Sequence, residues 1–147
     1  MSYKVRIELF KDFELTFLDF ESSSSTHILN SFDQINWKQQ AVFGFKEQHH
    51  GDFPFFEIEQ IQSGRKIGGL FVVYNCDEYN FNCHAEIHEK QQKSHLFGLF
   101  KTEALPSFDN DEVPLNVFRN SLERFLNGHD DEVERLLNIE YTPHRYT

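Results

Sequence analysis

Residues 55–87, FFEIEQIQSGRKIGGLFVVYNCDEYNFNCHAEI, carry the clearest structural signal in the chain. Apolar and polar residues alternate in three segments of this stretch, and a period of two is typical of strands with one buried face. If residues 63–65 and 77–80 are the loops, Ile58 faces Leu70 and Tyr74 faces Cys83. This register predicts an antiparallel meander with one buried face made of Leu70, Val72, Tyr74, Cys76, Phe81, Cys83, Ala85 and Ile87.

The N-terminal residues favour a further hairpin. Val5, Ile7 and Leu9 alternate with charged residues, and a turn at residues 10–12 would continue that alternation on a second strand. The apolar residues between positions 9 and 17 also fit one stripe of a helix. The sequence therefore does not decide whether residues 8–20 form a strand or a helix.

Helical spacing marks one helix after the serine run at residues 22–25 and two helices in the C-terminal third. Thr26 is the expected N-cap of the first helix, and Pro114 fits the first turn of the second. Gly128 is suited to the position after that helix, and Asp130 to the cap of the last one. The apolar stripes comprise Ile28, Leu29, Phe32 and Ile35, then Leu115, Phe118, Leu122 and Phe125, and finally Val133, Leu136 and Leu137.

Two further segments are predicted as strands, at residues 41–45 and, after a connection at 89–94, at residues 95–100. Together the elements predict an α+β fold: a mainly antiparallel β-sheet, built as a meander of hairpins, with helices packed on one face and a C-terminal helical segment. A length of 147 residues fits a single domain over residues 1–147. Because 17 residues are phenylalanine, the chain has enough apolar area for a core, which excludes global disorder.

The chain is acidic, with a formal net charge of −10. A protein that binds a phosphate backbone needs a basic face, so this charge argues against direct nucleic-acid binding and favours a basic protein partner. No window reaches the roughly 20 apolar residues of a membrane span, and the first ten residues contain no signal-peptide run. Cys76 and Cys83 are expected to be reduced thiols that act as small core residues. These features predict a cytoplasmic protein without a cofactor.

His84, Glu86 and His88 share one face of the predicted strand and are ligand types that zinc and iron accept. The two histidines, however, would lie about 13 Å apart on a strand, too far to bind one ion. We therefore expect no metal site and no catalytic residue here. A small metal-binding protein or enzyme centred on these three residues is kept as an alternative.

Acidic residues dominate the C-terminal third, where residues 105–140 contribute −6 of the net charge. Both tight clusters precede predicted helices, and acids at helix starts stabilise the helix dipole. The remaining charge predicts a negative surface that steers a basic partner towards it. The candidate partner-binding residues are Asp109, Asp111, Glu112, Asp130, Asp131, Glu132 and Glu134.

The chain resembles the small immunity proteins of bacterial polymorphic toxin and contact-dependent growth inhibition systems. The resemblance lies in the acidic balance, the aromatic-rich sheet at residues 55–100 and the acidic helices at residues 109–134. It implies a cytoplasmic α+β protein that binds and neutralises one cognate basic toxin domain, such as a nuclease. A DNA-mimic inhibitor is a further alternative, but it would space carboxylates regularly along one face. The identity of the toxin and the oligomeric state stay open.

Overall fold

The computed structural model describes residues 1–47, 51, 53–87 and 107–141. Their elements confirm the predicted α+β fold, with six antiparallel strands and four helices in this part of the chain. The N-terminal half contains β1 (Tyr3–Lys11), β2 (Glu14–Ser22), α1 (Ser25–Asp33) and α2 (Trp37–Glu47). The remaining elements are β3 (Phe55–Gln60), β4 (Lys66–Asn75), β5 (Glu78–Glu86), β6 (Ser107–Val113), α3 (Leu115–Leu126) and α4 (Asp130–Leu137).

The sheet has the strand order β2-β1-β3-β4-β5-β6, and every neighbouring pair is antiparallel. From β3 to β5 it is the expected meander. One face of the sheet is apolar, and α1, α2, α3 and α4 bury it in one hydrophobic cluster. None of the described helices is long and apolar enough to cross a membrane.

The N-terminal residues form a hairpin, which resolves the alternative between strand and helix. Its turn is shorter than expected and consists of Asp12 and Phe13, with Lys11 opposite Glu14. Asp12 has a positive φ of 61°, a conformation that Asp tolerates better than most residues and that tight hairpin turns require. Because the register differs from the expected one, Phe17 lies on the face of β2 away from the helices and is 72% exposed.

The predicted buried face is correct for β5 and wrong for β4. Phe81, Cys83, Ala85 and Ile87 are buried, as expected. In β4, by contrast, the buried side chains are those of the alternate residues, namely Ile67, Phe71 and Val73, with Gly69 between them. Leu70, Val72 and Tyr74 lie on the opposite face, and Cys76 is exposed in the turn.

The reason for this difference is a register shift in β4 next to the turn that leads to β5. The two-residue turn pairs Asn75 with Glu78, and this pairing alone would place Leu70 opposite Cys83. Between Val73 and Asn75 the register shifts by one residue, so that Gly69 rather than Tyr74 lies opposite Cys83. The offset is an odd number of residues, so every β4 side chain changes face. The preceding loop shifts the β3 pairing in the same way, with Ile58 opposite Ile67 instead of Leu70.

The remaining predictions concern residues 41–45, the acidic segment before α3 and the helices, and they are partly confirmed and partly wrong. Residues 41–45 belong to α2 rather than to a strand, and the acidic segment before α3 is the strand β6 rather than a helix start. Helix α1 begins two residues earlier than expected, because Ser24 accepts a hydrogen bond from the His27 N–H. Helices α3 and α4 are confirmed, with Gly128 at a positive φ between them. The predicted strand at residues 95–100 lies outside the described residues.

Adjacent valines test the observed register. Val73 is buried against the helices, whereas Val72 is on the open face of β4. We expect Val73→Asp to destabilise the fold by several kcal/mol, because it buries an unpaired charge, and Val72→Asp to cost about 1 kcal/mol or less. Thermal unfolding of the two purified variants measures the difference. Equal destabilisation would contradict the register.

Candidate functional site

The two acidic clusters predicted from the sequence lie at the same edge of the sheet. Asp109, Asp111 and Glu112 are on β6, the last strand, and α4 packs beside that strand. The Asn110 side-chain amide donates hydrogen bonds to the carbonyl oxygens of Leu137 and Ile139, at 2.9 and 2.8 Å, and so ties β6 to the end of α4. The fold therefore places the two clusters on neighbouring elements.

Asp130 has a structural role within this region rather than the expected capping role. It forms an ion pair with Arg65, which is only 8% exposed. The Arg65 guanidinium also donates to the Gln60 side chain at 3.1 Å and to the Phe125 carbonyl oxygen at 3.4 Å, and it lies over the Phe125 ring. The pair links the turn between β3 and β4 to the start of α4. The Asp130 charge is consequently matched within the chain, although part of the side chain stays exposed.

We expect Asp130→Asn to lower the free energy of unfolding by about 1–3 kcal/mol, because it leaves the buried Arg65 without its counter-charge. Asp131→Asn is the matched control, since Asp131 is the next residue in the same helical turn and is exposed. It is expected to cost less than about 1 kcal/mol. Chemical denaturation of both variants measures the difference, and equal losses would show that the Asp130 charge acts only on the helix dipole.

Two other acids of the candidate set are also engaged in contacts within the chain. Glu112 accepts hydrogen bonds from the Tyr74 hydroxyl and from the Asn80 side-chain amide, at 3.1 and 3.0 Å. Glu132 lies 3.1 Å from Arg135 and 3.9 Å from Arg124. The two arginines partly neutralise Glu132, whereas the neutral donors hold the Glu112 carboxylate in place without cancelling its charge.

Asp111, Asp131 and Glu134 form the remaining acidic surface, which we call the β6–α4 acidic patch. All three side chains are exposed, and within the described ranges no basic side chain lies within ion-pair distance of them. Asp109 borders the patch and is itself largely exposed, but it contacts His84. Of the seven candidate residues, therefore, three keep charges that are directed to solvent.

His84 lies on the open face of the sheet between two carboxylates. Its Nδ1 is 2.5 Å from Asp109 and its Nε2 is 3.1 Å from Glu86. Partial burial by itself would lower the pKa of His84, but the hydrogen bonds and negative charges of Asp109 and Glu86 outweigh it and raise the pKa above the ordinary 6.5. The protonated ring can donate to both carboxylates, so it bridges β5 and β6.

This geometry predicts a pH-dependent contribution to stability. Because the folded-state pKa of His84 is raised, the stabilisation is fully present below pH 6.5 and is lost as the pH rises through the folded pKa. We expect an NMR titration to give a pKa above 6.5 for His84, and Asp109→Asn to lower it. Asp131→Asn should leave the titration unchanged. A pKa of His84 that does not respond to Asp109→Asn would contradict the bridge.

The structure does not bring further metal ligands to His84. Among the described residues no group of three His, Cys, Asp or Glu side chains is arranged to hold a metal ion, and His88 lies outside those residues. Cys83 is free and buried on the opposite face of β5, where burial raises the pKa of its thiol well above the ordinary value. The thiol is therefore held protonated and away from the imidazole.

A cleft that the sequence did not reveal lies between α1, the start of α2 and α3. It has a volume of about 450 Å³, and Phe32, Trp37 and Leu115 form apolar walls. At its rim Arg119 donates to both carboxylate oxygens of Asp33, at 3.1 and 2.9 Å, and this lowers the pKa of Asp33 although burial opposes the shift. The apolar spacing of both helices was visible in the sequence. The contact between Arg119 and Asp33, which are 86 residues apart in the chain, was not visible in the sequence.

The described residues thus offer exposed carboxylates at one sheet edge and an apolar cleft, at whose rim the charges of Arg119 and Asp33 neutralise each other. The first arrangement suits contact with a basic macromolecule, because its charges face solvent on rigid elements. The second contributes apolar surface without a free charge at its rim. No protein-family model, curated protein sequence or solved structure matches this chain.

Proposed function

We propose that this protein is an immunity protein that binds a cognate basic toxin domain, such as a nuclease, and neutralises it through an acidic surface. The observation that carries the proposal is the β6–α4 acidic patch. Arg124 and Arg135, the nearby bases, contact Glu132, which leaves Asp111, Asp131 and Glu134 charged towards solvent. A net charge of −10 on 147 residues supports the same partner type.

The patch acts on the association step. A nuclease binds phosphates with lysines and arginines, and exposed carboxylates on the inhibitor attract the same groups. Such steering extends over about 8–10 Å at physiological salt, so it accelerates encounter and weakens as salt is added. The bound complex also needs apolar contacts. Ile139 is exposed beside the patch and can supply one such contact. Tyr141, by contrast, packs against the core, and its hydroxyl donates a hydrogen bond to the Leu136 carbonyl oxygen.

The alternatives fit the described residues less well. A DNA mimic needs a regular series of unpaired carboxylates, but charges on the open sheet face alternate in sign, as in the cross-strand series Glu59, Lys4 and Glu21. For a metal site or enzyme at His84, both ring nitrogens are already in contact with carboxylates. These observations favour the inhibitor.

The test is a charge reversal that spares Asp130. We expect Asp131→Lys/Glu134→Lys to slow association with the cognate toxin domain by about tenfold at low salt, with a smaller effect at high salt. Stopped-flow fluorescence measures the rate constants. Glu14→Lys/Asp77→Lys is the matched control, because it makes the same change in net charge at exposed positions elsewhere.

Equal slowing by both double variants would show that only the net charge matters. Unchanged association in the α4 variant would show that the β6–α4 acidic patch is not the recognition surface. In either case, co-expression with the toxin domain measures whether the unmodified chain protects the host. Failure to protect would reject the immunity function itself.

A further inference from the structure

The two edges of the sheet differ in how they are protected. At one edge, β6 is seven residues long, has a register irregularity against β5, and is tied to α4 through Asn110. At the other edge, β2 is nine residues long and pairs with β1 in an unbroken register from Ser22 to Glu14. Its sequence ELTFLDFES contains no proline and no lysine, the residues that usually block an exposed strand edge.

The outward hydrogen-bonding groups of β2 can be assigned from β1. The Gln40 side chain accepts from the Phe10 N–H at 2.7 Å and donates to the Phe10 carbonyl at 3.0 Å, at the end of β1 that extends beyond β3. Even-numbered residues of β1 therefore direct their backbone groups towards β3, and odd-numbered ones towards β2. In the observed register the odd-numbered residues of β1 pair with even-numbered residues of β2. The backbone groups of Leu15, Phe17, Asp19 and Glu21 consequently face outward.

The open face of the sheet ends at β2 with acids that face a base of β1 on one side and no described strand on the other. One cross-strand series runs Glu86, Lys66, Glu59, Lys4 and Glu21, and it alternates in sign on five neighbouring strands. A second series contains Glu57, Arg6 and Asp19, with Arg6 3.7 Å from Glu57. Both series stop on a carboxylate of the edge strand. Opposite charges on directly facing residues stabilise neighbouring strands, so the next position in each series suits Lys or Arg.

The edge strand also exposes apolar side chains on both faces. Phe17 is 72% exposed on the open face, and Leu18 is 56% exposed on the face that the helices cover elsewhere. A strand placed beside β2 would bury part of both side chains. Within the described part of the chain, the edge thus combines backbone groups that no other strand pairs with, two terminal acids and apolar surface.

We propose that β2 binds an extended segment of a partner protein as a seventh, antiparallel strand. The segment carries Lys or Arg opposite Asp19 and Glu21 and apolar residues opposite Phe17 and Leu18. Pairing between the β2 strands of two copies of this chain does not fit, because β2 has no basic residue and no register of the two strands can place a base opposite its acids. The inference goes beyond the proposed function, since it concerns the opposite edge of the sheet and does not need the partner to be a toxin.

A synthetic peptide tests the proposal on the intact chain. In Thr-Lys-Thr-Arg-Val-Val-Thr-Ile-Thr, antiparallel pairing places Lys opposite Glu21, Arg opposite Asp19, and the two Val residues opposite Leu18 and Phe17. We expect NMR shifts of the β2 amides on titration with this peptide, and no shifts with the version in which Glu replaces Lys and Arg. Asp19→Asn/Glu21→Gln should weaken binding on the order of fivefold. Asp77→Asn/Glu140→Gln, which makes the same change in net charge at exposed positions outside both proposed surfaces, should leave the affinity unchanged.

Hydrogen exchange of the free protein provides the second measurement. The amides of Leu15, Phe17, Asp19 and Glu21 should exchange quickly alone and slowly with the peptide. Slow exchange in the free monomer would overturn the proposal in favour of coverage by another segment of this chain. Concentration-dependent slowing, with a dimer in analytical ultracentrifugation, would overturn it in favour of self-pairing. Equal affinity for the basic and acidic peptides would also overturn it.

Discussion

The contact between the Phe118 ring and Gly69 holds the two layers of this fold together. A Cβ atom at Gly69 would lie 2.9 Å from the ring, so the helix α3 can approach β4 this closely only because the strand has no side chain there. The centroid of the Phe118 ring lies 4.6 Å from that of the Phe81 ring and 5.6 Å from that of the Phe32 ring. Through these rings, β5 and α1 take part in the same contact. The side chains of the buried sheet face pack around this contact.

With the apolar face covered by all four helices, the other face of the sheet carries most of the charged strand residues, together with a few apolar side chains such as Phe17 and Leu70. Their cross-strand series alternate in sign where the strands meet inside the sheet, which matches each charge locally. At the edges this matching ends, and β2 and β6 carry only acids among their charged residues. The surplus negative charge of the chain is thus visible at both edges, while the interior strands are balanced.

The acidic residues divide into two groups once the contacts are known. Asp130 contacts the turn between β3 and β4, Glu112 contacts strand neighbours, and Glu132 contacts arginines of α3 and α4. Asp111, Asp131 and Glu134 remain directed to solvent. Their positions in the sequence do not separate these groups, because Asp130 and Asp131 are adjacent. The difference is the buried guanidinium of Arg65, which reaches only one of them.

The sequence by itself determined the α+β class, the helices α1, α3 and α4, the buried face of β5 and the acidic character of the C-terminal third, because these depend on local spacing and composition. It did not determine the buried face of β4. Residues 70–74 are apolar on both faces, so alternation alone could not choose between them. The register shift between Val73 and Asn75 and the space that Phe118 needs at Gly69 made that choice. Likewise, only the tertiary structure paired Arg65 with Asp130 and Arg119 with Asp33, since contacts between residues far apart in the chain depend on how the layers pack.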